Sequence, residues 1–137
     1  MPVESMHLTL AFLGPTPRER IPELRAALGE VEFSPFKLVL DRFGHWEPGI
    51  VWLGGDAPPE LEALAHDVRE AIRAYDFSFD RKRFKPHVTL LRNARRAAQS
   101  QTVKPLGWPV DRFLLVESVT ESAGARYHIL AEFPCLA

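Results

Sequence analysis

His7 and Thr9 stand two residues apart in Met6 to Gly14, MHLTLAFLG, and His87 and Thr89 keep the same spacing in Phe84 to Arg92, FKPHVTLLR. Both pairs sit in apolar runs, and residues i and i+2 of a strand share a face. The chain therefore carries one device twice. The unperturbed imidazole pKa lies nearest neutrality, so two imidazoles facing one substrate supply the base and the acid of a single proton-transfer reaction. Each threonine adds a hydroxyl able to donate to an anionic oxygen. One histidine in a strand reads as a core imidazole, whereas the same His and Thr at matching positions in two distant segments read as a divided site around a shared cleft.

Together the two motifs resemble those of the two-histidine phosphoesterase superfamily, the first running on into Phe12-Leu13-Gly14 and the second opening F-x-P-H and closing on Arg92. Within it they are most similar to the bacterial and archaeal 2',5' RNA ligase-like branch, whose members act as RNA 2',3'-cyclic phosphodiesterases. VWLGG at 51–55, Ser118 and GARYHILAEFP at 124–134 extend the likeness from about Val3 to Pro134. The resemblance implies an α+β fold that is two-lobed, with pseudo-twofold duplicated antiparallel sheets and flanking helices around a central cleft, residues 1–137 forming one domain. It implies hydrolysis of RNA 2',3'-cyclic phosphate ends to 2'-phosphate, His7 protonating the leaving 3'-oxygen and His87 acting on water. Run backwards, the same pair would make a 2',5' bond without ATP. The residues themselves leave the acid and base assignment open, because the repeat is nearly symmetric. Thr9, Thr89 and, by the resemblance, Arg92 are the phosphate contacts, although strict strand alternation puts Arg92 opposite His87. Members of the branch begin with a strand and a helix ahead of the first motif, and here the chain starts almost on it. One strand and one helix are thus expected to be missing, which would expose a sheet edge and invite a homodimer.

No cofactor is expected. The chain lacks G-x-x-x-x-G-K-[ST] and the clustered His, Cys and carboxylate ligands of a metal-dependent phosphodiesterase. Trp46, Phe84 and Trp108 are the base-stacking candidates, since aromatic faces bind bases with little sequence preference; core burial is the expectation for Phe84 and Trp108, as for Trp52, and Trp46 stands apart in its Gly-flanked loop. The partner is RNA with a 2',3'-cyclic phosphate end or a small cyclic nucleotide. Two other functions stay open: a phosphodiesterase of the same superfamily acting on another cyclic or 2',5'-linked nucleotide, and a silent RNA- or nucleotide-binding module. Silence would show as a lost His or Thr, and all four are present.

A net charge of −1 over 137 residues gives no global pull toward nucleic acid, so attraction for phosphate must be local. Arg81, Lys82, Arg83, Lys85, Arg92, Arg95 and Arg96 crowd around the second motif, with Asp80 the only acid nearby. With 46% hydrophobic residues the composition is that of an ordinary globular chain. Cys135 is the single cysteine, which excludes an intrachain disulfide and suits a reducing cytoplasm; no signal region or bilayer-length apolar run is present.

The elements that must position the motifs follow from periodicity. Residues 6–13 alternate as a strand, and in the run Phe84 to Arg92 Pro86 forces Lys85 into an extended conformation just before the second. Thr16 and Glu19 resemble a capping box before a helix that carries Leu24, Ala27 and Leu28 inward to Gly29. Phe36 to Phe43 and Ile50 to Leu53 predict a hairpin. Asp56, Pro58 and Pro59 open a helix bearing Leu61, Leu64, Ala65, Val68 and Ile72 at helical spacing. Phe77 to Phe79 reads as a short strand, Asn93 to Pro109 as a long loop, and Val110 to Val119 with Tyr127 to Phe133 as a second hairpin.

Overall fold

The computed structural model describes residues 6–92, 101–122 and 124–137. Among these, the elements run α1 (Ile21–Gly29), β1 (Phe36–Trp46), β2 (Ile50–Gly54), α2 (Pro59–Ala74), β3 (His87–Leu91), β4 (Gln101–Val110), β5 (Arg112–Glu121) and β6 (Gly124–Pro134). They form an α+β fold with two antiparallel sheets, one ordered β3-β2-β1-β4 and the other the hairpin β5-β6.

Helix α1 follows a 3-10 turn, Arg18–Arg20, and holds Pro22 in its first turn, where a missing N–H leaves no bond unmade. The expected capping box does not form; Thr16 Oγ1 donates to the Gly14 carbonyl at 3.1 Å instead. Helix α2 buries the stripe its spacing predicts, Leu61, Leu64, Ala65, Val68 and Ile72. Asp56 does not cap it, because its carboxylate accepts from Arg42 at 2.8 Å. At the far end Asp76 adopts a left-handed φ of 64°, and the Phe77 N–H returns to the Ile72 carbonyl at 3.0 Å. That reversal buries Phe77, and no strand forms over 77–79. Leu24, Leu38, Leu64 and Ile72 join Phe113 and Leu115 in one apolar cluster that draws on both sheets.

Two expectations about strands need correction. Within the segment expected to be a long loop, Gln101–Val110 forms β4 despite Pro105 and Pro109. β4 is an edge strand, bonded to β1 alone, and Pro105 lies in an irregular stretch opposite Asp41, so neither proline interrupts a two-sided ladder. Residues 93–100, with Arg95 and Arg96, lie outside the described residues. The first motif, in turn, belongs to no named strand. Leu8 makes a single antiparallel bridge to Val88, after which the Leu10 carbonyl accepts from Arg69 (3.1 Å) and the Phe12 carbonyl from the Asp80 N–H (2.8 Å). An α2 side chain and the turn before β3 take the place of a ladder.

Three irregularities shift the alternation of side chains. In β1 it comes at Asp41, between Leu40, paired with Leu106, and Arg42, paired with Thr102. In β3 Leu90 is the extra residue between Thr89, opposite Trp52, and Leu91, opposite Val51. In β6 Leu130 is the extra residue between Ala131, opposite Leu115, and Ile129, opposite Val116. Past each point the strand presents the other parity to a given face.

Candidate active site

The Leu8–Val88 bridge brings the two motifs together. Continuing its antiparallel register by one residue each way sets His7 opposite Thr89 and Thr9 opposite His87, on the side away from buried Val88. All four residues thus share one face, each histidine beside the other motif's threonine.

His87 is held from two directions. Its Nδ1 lies 2.7 Å from the Lys85 carbonyl, which can only accept, so Nδ1 carries the proton and Nε2 is left for chemistry. Its ring meets Trp46 edge-on, centroids 4.6 Å apart. Trp46 reaches this side because the Asp41 irregularity reverses β1: Leu38 and Leu40 are buried in the core, while Gly44 pairs with Trp52, which pairs with Thr89. Trp52, expected in the core, instead lies on the His87 side. A Cβ at Gly44 would collide with its indole, so only glycine there lets the ring lie flat across the hairpin. His7 has its own aromatic neighbour, Tyr127, at 5.0 Å between centroids and 62° between planes. Tyr127 faces His7 because Leu130 shifts β6; without it Tyr127 would share the parity of Ala131 and Phe133, which pack on the core.

A pocket of about 260 Å³ adjoins His87, lined by Arg42, Trp46, Trp52, Gly55, Lys85 and Pro86. Arg42 is bound by Asp56 (2.8 Å) and Asp41 (3.2 Å), whose carboxylates hold its pKa above the usual arginine value. Phe84 does not line this pocket; it packs against the core with the Arg69 guanidinium 6.0 Å from its ring. Arg92 is exposed in a bend just beyond β3, past the extra residue at Leu90 that shifts the strand's alternation. Arg69 is the residue that sequence reasoning missed most completely: it donates both to Leu10 O, beside the first motif, and to Lys82 O (3.0 Å), in the turn leading to the second. On α2 it lies next to the buried stripe as an ordinary flanking cation, so nothing in the spacing marks it. Tyr127 and Trp52 were visible as aromatics but not as neighbours of the motifs. Among the described residues no group of three or more His, Cys, Asp and Glu is arranged to hold a metal, and no helix is long and apolar enough to cross a membrane.

This α+β arrangement with two His-x-Thr elements on one face is that of a two-histidine phosphoesterase. Residues 2–121 match the family model described as the 2'-5' RNA ligase superfamily, and the chain belongs to that family. It is 37% identical over 131 residues to the RNA 2',3'-cyclic phosphodiesterase of Escherichia coli K12, covering 90% of this chain and 72% of that protein. The enzyme of that name from Archaeoglobus fulgidus is 36% identical over 68% of this chain, which spans about half (54%) of its length. Among solved structures, E. coli LigT complexed with 3'-AMP superimposes with a TM-score of 0.86 at 31% identity, covering 100% of this chain and 80% of that one.

Proposed function

We propose that this chain hydrolyses RNA 2',3'-cyclic phosphate ends to 2'-phosphates, with His87 as general base and His7 as general acid. It is a cyclic phosphodiesterase by kinship with the E. coli and Archaeoglobus enzymes; the division of labour between the residues is our reading. Water attacks phosphorus and gives its proton to His87 Nε2. The bond to the 3'-oxygen breaks, that oxygen takes the proton of the His7 imidazolium, and the products are a 2'-phosphate and a free 3'-hydroxyl. Thr9, Thr89 and Arg92 donate to the non-bridging oxygens, where charge accumulates. Trp46 offers a ring face to the base of the terminal nucleotide, with the adjoining pocket to receive it.

The Leu8–Val88 bridge carries this reading, because it makes one face of two segments about eighty residues apart. The hydrogen bond from His87 Nδ1 to Lys85 O supports His87 as base, since a neutral ring so tied exposes an Nε2 lone pair. With a 5'-hydroxyl in place of water, the same attack on phosphorus, the hydroxyl proton going to His87 and the 3'-oxygen leaving with the proton of His7, joins RNA ends through a 2',5' bond. Both reactions are proposed to run without metal, in a reducing cytoplasm. A second copy paired along the β5-β6 hairpin, where Val116 and Ile129 are exposed, is the dimer to look for by size-exclusion chromatography.

The test offers the protein an oligoribonucleotide with a 2',3'-cyclic phosphate end, without ATP and with EDTA. A 2'-phosphate end is expected. A 3'-phosphate product would reverse the assignment of leaving group, and activity abolished by EDTA and restored by a divalent ion would replace the histidine mechanism with a metal-dependent one.

A further inference from the structure

We infer that the turn Arg81 to Lys85 is a docking track for the single strand that precedes the reacting end, so that the preferred substrate is a polynucleotide and not a cyclic mononucleotide. The inference rests on the function proposed above and concerns what lies outside the reacting phosphate.

Four cations, Arg81, Lys82, Arg83 and Lys85, are exposed here, and none makes an ion pair among the described residues. Arg20, Arg42, Arg73, Arg112 and Arg126, elsewhere on the surface, each pair with a carboxylate. The one acid beside the turn, Asp80 just ahead of it, accepts from the Lys82 backbone N–H at 2.9 Å, which shapes the turn. Arg69 fixes it from beneath through Lys82 O at 3.0 Å, so the cations stand on a braced backbone. Their order is directional. Lys85 lines the pocket beside His87 with its ammonium 5.7 Å from the Trp46 ring centre, and Arg81, at the far end, lies over Phe79 at 5.3 Å. A strand leaving the pocket therefore meets Lys85 first and then a run of unpaired charge bordered by an aromatic ring, the combination that holds single-stranded nucleic acid without reading its sequence. In a chain of net charge −1 this local excess gives a polyanion one preferred path.

The test compares kcat/KM for a cyclic mononucleotide and for an RNA hexamer ending in the same cyclic phosphate, as KCl is raised from about 50 to 200 mM. With about three phosphates engaged, log kcat/KM for the hexamer should fall with log salt at a slope of about −2, a loss of ~15-fold, while the mononucleotide changes far less. The hexamer should lead by about 10-fold or more at low salt, and the triple variant R81Q/K82Q/R83Q should bring that ratio near one. Equal kcat/KM and equal salt slopes for the two wild-type substrates would overturn the track without any variant. Should neither substrate be turned over, the catalytic reading fails separately. The track is then judged by fluorescence anisotropy on a hexamer ending in 2'-phosphate: a Kd with that salt slope, lost in the triple variant, upholds it, and a salt-insensitive Kd rejects it.

Discussion

At His87 the backbone decides what the side chain can do. A carbonyl 2.7 Å from Nδ1 holds one tautomer, and Trp46 limits how the ring can turn. His7 has Tyr127 as its counterpart brace, so each imidazole meets the edge of a ring brought by a hairpin. Acid and base roles of this kind are worth about 10²-fold or more each, and His7→Ala or His87→Ala should lower kcat by at least that much with the circular dichroism spectrum unchanged. Thr9→Ala and Thr89→Ala each remove a neutral donor and should cost less. A threonine variant as damaged as the histidine variants would show that the hydroxyls carry more than phosphate binding. One ring must be neutral and the other protonated, so the rate should pass through a maximum with pH, and the two limbs belong to the pair jointly. A rate flat across the histidine range would remove the imidazoles from the rate-limiting proton transfers.

Among the elements, α2 does more than cover the sheet. Its buried stripe packs inward, while Arg69 on its flank bonds to the backbone beside both motifs, a connection across 59 residues on one side and 13 on the other. Among the described residues the segment that holds His7 and Thr9 has one bridge and no ladder, so this guanidinium and the Asp80 to Phe12 bond help to hold it where Leu8, Leu10, Ala11 and Leu13 pack on the core. Charge-assisted bonds of this type contribute about 1.5–3 kcal/mol each. Arg69→Ala should therefore lower kcat/KM by about 10-fold or more and, with both bonds lost, lower the midpoint of thermal unfolding by about 10 °C or more. If turnover were unchanged in the folded variant, the first motif would have to be held by something other than α2.

On the scale of the molecule, the two sheets share one core, and Phe113 joins its parts. The ring stacks on Phe133 at 4.9 Å and tilts against Phe33 at 5.9 Å, with 7% of the residue exposed. Truncating such a ring leaves a cavity, and Phe113→Ala should cost about 3–5 kcal/mol in urea unfolding. Activity should fall along with stability, since Tyr127 rides on the same hairpin. A loss below about 1 kcal/mol would mean that β5-β6 is held to the rest by other contacts.

The amino-acid sequence by itself pointed to the candidate residues and to most of the local structure. The repeated His-x-Thr spacing, the stripe of α2 and the two hairpins all follow from short-range periodicity, which is a property of neighbouring residues. Facing was a different matter. Strict alternation sends Trp46 to the side of Leu40 and Tyr127 to the side of Ala131. One irregular position in each strand, near Asp41 and Leu130, reverses that order. A bulge depends on how a strand pairs with a partner far along the chain, so no local pattern announces it. Only the tertiary structure, through those pairings and through an arginine reaching two distant backbones, decided which residues surround the histidines.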